Sequence, residues 1–194
     1  MRRVTTWAVS IAAVLMALPA SAATLTFYRE FAPEVPGTVG TGWARATFDT
    51  DLRTMFVEAE FQDLTGPTTV AHIHCCTASP ETGTVAVATM PGTFPGWPVG
   101  VTAGSYQGTF NIADSASYTP GFITNFGGGT VAGAFAALLA GLDDGLGYFN
   151  VHTEFARGGE IRGFLRQVPE PGALVLLGLG LLAVAVTLRS RRRG

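Results

Sequence analysis

The two ends of the chain limit what the rest can fold into. It opens Met1-Arg2-Arg3, runs apolar from about Trp7 to Leu18, and reaches Pro19-Ala20-Ser21-Ala22-Ala23. A positive start, a short apolar middle and small residues at −3 and −1 are the marks of a secretory signal peptide over residues 1–22, with cleavage between Ala22 and Ala23. The alternative, an uncleaved anchor helix, is disfavoured because the run is short for a bilayer. At the other end, Gly172 to Leu188 carries no charge and is followed by Arg189-Ser190-Arg191-Arg192-Arg193. A helix of that length spans about 26 Å, enough for a thin hydrocarbon core. The Arg cluster then stays in the cytoplasm and leaves the body outside. What must fold in water is residues 23–168, a size that suits one hydrophobic core.

The C-terminal parts come in a specific order: Pro169-Glu170-Pro171, an apolar transmembrane helix, then the Arg-rich tail. Together, residues 169–194 resemble the PEP-CTERM sorting signal of Gram-negative bacteria. The resemblance implies recognition by an exosortase and cleavage near Pro169, Glu170 and Pro171 after transient anchoring in the inner membrane. With signal peptidase acting at the other end, the product goes to the cell surface or the extracellular polysaccharide matrix.

Composition narrows the body further. Charged residues are 13% of the chain, about half the usual share. All twelve basic residues are Arg, and residues 23–168 hold six of them against thirteen acids, a formal charge of −7. This excludes a disordered polyelectrolyte, a coiled coil and a basic nucleic-acid-binding face.

Period-two alternation recurs along the body. Candidate strands begin at Leu25 and run over Trp43–Phe48, Thr54–Phe61, Thr68–Cys75, Thr84–Thr89, Ser105–Ile112, Gly147–Thr153 and Glu160–Arg166. Asp49-Thr50-Asp51-Leu52 reads as a hairpin turn, and Gly158-Gly159 as a tight turn between the last two strands. Met90 to Gly104, with three prolines, reads as a long loop carrying Phe94 and Trp97. Those rings either plug the core or stack on sugars. Thr130 to Leu142, rich in Ala and Leu, reads as one inserted helix. The fold class that follows is all-β, an antiparallel β-sandwich with one inserted helix.

The chain has three histidines. His72 and His74 are two apart on a strand, so they share a face while Ala71, Ile73 and Cys75 take the other. By the same rule Tyr148, Asn150 and His152 share a face. If the two strands pair, three imidazoles converge, a donor set for one Cu or Zn ion with an open position. The alternative is a polar network in which Glu154, Glu160 or Asn150 satisfies the rings. Glu160 and Arg162 alternate to one face as a possible ion pair.

Ala71-His72-Ile73-His74, Gly83-Thr84-Val85, Tyr148 to Thr153 and Gly158-Gly159-Glu160-Ile161-Arg162-Gly163 resemble the CHRD domain, the module first named in chordin. The resemblance covers most of residues 24–167 and marks His72, His74, Asn150, His152, Glu160, Arg162 and Gly163 as motif positions. It implies a β-rich extracellular domain with no assigned reaction. The chain departs from the family at Cys75-Cys76, which stand where Gly-Pro is common. Outside the cytoplasm an even cysteine count favours a disulfide. A vicinal disulfide, two free thiols, and thiolate ligation by Cys76 beside His74 all remain open.

These features lead to an exported, non-catalytic surface or matrix module, binding extracellular polysaccharide or another surface protein and no nucleic acid. The alternative is a mononuclear copper or zinc protein or metalloenzyme built on His72, His74 and His152. Phosphate-loop, dinucleotide and nucleophile-elbow motifs are absent from the sequence.

Overall fold

The computed structural model describes residues 24–168 and, beyond them, 178–183 and 189. The signal peptide, its cleavage site at Ala22 and Ala23, the Pro169-Glu170-Pro171 triplet and most of the apolar run after it lie outside the described residues. Residues 178–183 are helical. Among the described residues, no helix is long and apolar enough to cross a membrane.

Ten strands form two antiparallel five-stranded sheets. They are β1 (Thr24–Glu30), β2 (Ala32–Pro33), β3 (Thr41–Asp49), β4 (Thr54–Gln62), β5 (Thr68–His74), β6 (Val87–Thr89), β7 (Gly104–Asn111), β8 (Tyr148–Thr153), β9 (Ile161–Phe164) and β10 (Arg166–Val168). The first sheet has the order β10-β1-β3-β4-β7, the second β2-β9-β8-β5-β6. Among its changes of sheet, the chain makes two through a single residue, at Phe31 and at Leu165, both buried.

Alternation builds the layer between the sheets. Ala44, Ala46 and Phe48 of β3 and Met55, Val57, Ala59 and Phe61 of β4 point inward, and β3 and β4 form the expected hairpin. They meet Ala71 and Ile73 of β5 and Phe149 and Val151 of β8, all fully buried. The 90–104 loop closes one side of this layer. Phe94 stacks on Phe149 at 5.3 Å and Trp97 on Phe61 at 5.2 Å. Phe94 is 0% and Trp97 5% exposed, so these rings are core plugs and not a sugar platform.

The helical content exceeds the single expected helix. Besides α2 (Val131–Asp143) there is α1 (Pro120–Asn125), preceded by a 3-10 turn at Ser115–Ser117. Thr119 caps α1 by accepting from the Phe122 amide, with Pro120 in the first turn. Thr130 caps α2 through the Gly133 amide. The apolar side of α2 (Ala134, Phe135, Leu138, Gly141 and Leu142) is buried. The expected strand at Thr84–Thr89 shrinks to β6, and the one at Glu160–Arg166 divides at Leu165 because the chain there passes from one sheet to the other.

Candidate metal centre

Strands β5 and β8 are neighbours in the second sheet, with His72 opposite Asn150, His74 opposite Tyr148 and Val70 opposite His152. This register places His72, His74 and His152 on the outer face, away from the core, and one ligand nitrogen from each lies within 4.8 Å of the others. The His72 ring meets those of His74 and His152 edge-on, at 4.8 Å and 4.6 Å between centroids. Although on the outer face, all three residues are only 7–8% exposed.

Two of the rings are oriented from behind. His74 Nδ1 lies 2.7 Å from the Val85 carbonyl and His152 Nδ1 lies 2.9 Å from the Arg157 carbonyl. A carbonyl only accepts, so each Nδ1 carries the proton and each Nε2 keeps its lone pair. Those Nε2 atoms, together with His72 Nδ1, are buried and have no hydrogen-bond partner among the protein groups. His74 is further held by parallel stacking on Tyr148 at 4.7 Å, and the Arg162 guanidinium lies over that tyrosine ring at 5.0 Å.

The electrostatics keep the imidazoles neutral. Burial and the neighbouring His74 and His152 push His72 down to about 3. Burial brings His74 down to about 4, with the Val85 carbonyl opposing and His152 and Arg162 adding to the shift. Burial also lowers His152, against the Arg157 carbonyl. Neutral imidazole is the form that binds a metal. Three imidazoles, two of them oriented by backbone carbonyls, offer the donor types suited to a Cu or Zn ion.

The other motif residues divide between this site and the frame around it. Asn150, 1% exposed, stands on the same face as His72 and donates through Nδ2 to Glu34 Oε2 at 3.1 Å and to the Gly158 carbonyl at 3.4 Å. Gly159, at φ +125°, lies so close to the Asn150 amide and the Glu34 carboxylate that a Cβ there would collide with both. Arg162 pairs with Glu34 at 3.1 Å and donates to the Gly83 carbonyl at 2.9 Å. Gly163 lies in β9 beside the Glu30 carbonyl.

The expected Glu160–Arg162 pair does not form. Glu160 precedes β9, is fully buried, and accepts from the Thr65 amide at 2.5 Å, the Gly66 amide at 3.3 Å and the Thr153 hydroxyl at 2.7 Å. Neither Glu154, which is exposed, nor Glu160 orients a histidine; backbone carbonyls do that instead. No side-chain signal marks Val85 or Arg157 as partners, and Glu34 lies far away in sequence. Tyr148 was visible only as a residue on the histidine face.

Cys75 and Cys76 are joined in a disulfide. Cys75 points into the core, and β5 ends at His74, so Cys76 does not continue the histidine face. Both sulfurs lie against Gly141 of α2, where even a Cβ would collide with them. The bridge thus packs directly under α2.

A CHRD domain model matches residues 22–165, and a PEP-CTERM protein-sorting motif matches residues 167–193. No curated protein and no solved structure matches the chain.

Proposed function

Because the chain belongs to the CHRD domain family and ends in a PEP-CTERM sorting motif, we propose that it is an exosortase-sorted extracellular protein that holds one copper or zinc ion on His72, His74 and His152. The observation that carries this reading is the convergence of three buried imidazoles, each with a ring nitrogen that has no hydrogen-bond partner. Leaving a buried polar atom unsatisfied costs about 1–3 kcal/mol. One ring nitrogen from each histidine lies within 4.8 Å of the others, so the cost falls on neighbouring rings that a single cation can serve together.

The role is binding and not catalysis. All three histidines of the chain serve as ligands, which leaves none for acid–base chemistry. Glu34, the carboxylate on this face, is engaged by Arg162 and Asn150.

Elemental analysis of the full-length chain, purified without a histidine tag and incubated with copper or zinc, tests this. About one ion per chain is expected. His72→Ala, His74→Ala and His152→Ala should each lose it while remaining folded by circular dichroism. A wild-type chain that retains no transition metal would sink the metal reading and leave an exported binding module whose histidines serve the fold.

A further inference from the structure

A fourth unpartnered atom lies on the histidine face. Asn150 Oδ1 is buried without a hydrogen-bond partner, on the residue directly across from His72 and two positions from His152 along β8. The amide is not free to turn. Its Nδ2 is committed to Glu34 Oε2 and the Gly158 carbonyl, which accept, and Gly159 lies close beside the amide. That arrangement fixes which end of the amide is nitrogen and which is oxygen.

The four orphaned atoms differ in chemistry. The imidazole nitrogens offer lone pairs that a cation satisfies. A carbonyl oxygen this deeply buried is satisfied most simply by a hydrogen-bond donor. We propose that the open position of the three-histidine centre takes a small neutral ligand bearing an O–H group, water in the isolated protein, and that Asn150 Oδ1 accepts its hydrogen bond. This rests on the metal reading above and specifies what that site selects.

Two features of the surroundings agree. The histidines are 7–8% exposed, so only a small ligand reaches the centre. The guanidinium on this face, Arg162, is paired with the Glu34 carboxylate, which offsets its charge toward an incoming anion. An acceptor-only anion at the open position faces the Asn150 oxygen with no proton between them. The site therefore discriminates against ligands such as azide in favour of water.

The test loads the full-length chain with cobalt(II) and titrates azide against its visible spectrum. Wild type should bind azide weakly. Asn150→Leu should keep one cobalt per chain and bind azide about tenfold more tightly, the equivalent of one lost hydrogen bond to the competing water. Asn150→Asp, which preserves shape and adds negative charge, should move azide binding the other way. Structural damage alone would not produce a gain of affinity. Unchanged azide affinity in both variants, or loss of cobalt from a folded Asn150→Leu chain, would overturn the proposal; the latter would make Oδ1 a direct ligand. Failure of wild type to take up cobalt would overturn the metal reading and this proposal with it, an outcome distinct from a loaded site indifferent to Asn150.

Discussion

Strand β4 of the first sheet and strand β8 of the second obey the same two-residue period with different results. On β4, Met55, Val57, Ala59 and Phe61 face the core, while Glu58 and Glu60 face out and meet Arg45 and the Trp43 indole. On β8 all six residues are buried. The outer face of β8 is covered by the chain around Glu34, Gly83–Val85 and Arg157–Gly159, whose groups bond to Asn150, His74, His152 and Arg162. Polar residues on the first sheet's outer face are solvated, and those on the second are turned toward one another. Alternation thus says which side chains share a face but not whether water reaches it.

If the second sheet's polar groups are structural or functional while the first sheet's are solvated, substitutions should separate the two. The largest effect belongs to Glu160. Burial would raise its carboxyl, but hydrogen bonds from Thr65, Gly66 and Thr153 outweigh that and hold it below the ordinary 4.5. Glu160→Ala strands the Thr65 and Gly66 amides and should cost about 3–5 kcal/mol in denaturant unfolding. A group with a depressed folded-state value contributes stability above 4.5 that is lost as pH falls through that value. Wild type should therefore lose this contribution in acid, and Glu160→Ala should show less of that loss. A variant as stable as wild type would mean the 65–66 loop does not depend on this carboxylate.

A smaller effect of opposite sign is expected at His72. In the metal-free protein His72→Leu removes an unsatisfied buried nitrogen and should raise stability by about 1 kcal/mol while abolishing metal binding. The pH dependence follows from the depressed values. Between 6.5 and about 3 for His72, and between 6.5 and about 4 for His74, the unfolded chain binds more protons than the folded one. Stability from these rings is complete above 6.5 and falls as pH drops through those windows. Thermal melts of metal-free His72→Leu should show a flatter fall below 6.5 than wild type. A variant less stable than metal-free wild type would mark the ring as part of the scaffold.

The smallest effect is on the first sheet. Arg45 and Glu58 pair at 3.1 Å with side chains 43% and 30% exposed. Arg45→Ala should change stability by no more than about 0.5 kcal/mol. A loss beyond about 1 kcal/mol would show that this face too is more than a solvated surface.

Much of this frame was legible in the residues. The β3–β4 hairpin, α2 and the sharing of one face by His72 and His74 follow from local period and turn chemistry. What was not legible depends on distant partners. Glu160 looks like an alternating surface carboxylate until Thr65 and Gly66 close over it from nearly a hundred residues away. Asn150 looks like a strand asparagine until Glu34 fixes its amide. Helix α1 is only six residues long and opens on Pro120 and Gly121, two poor helix formers, although Thr119 before Pro120 is a start signal.

The pairing of β1 with β10 has a mechanical consequence. Thr26 lies opposite Val168, so the first strand of the domain and its last run side by side at the edge of the first sheet. Tension applied through the chain beyond Val168 would open that edge one pair at a time, like a zipper, instead of shearing the whole strand at once. The pairs Thr26–Val168, Phe27–Gln167 and Tyr28–Arg166 resist it, together with the Arg166–Glu81 ion pair. The sheet that carries the histidines has its own ladder of hydrogen bonds, so a tug on the C-terminal end would loosen the seam before it reached the three histidines.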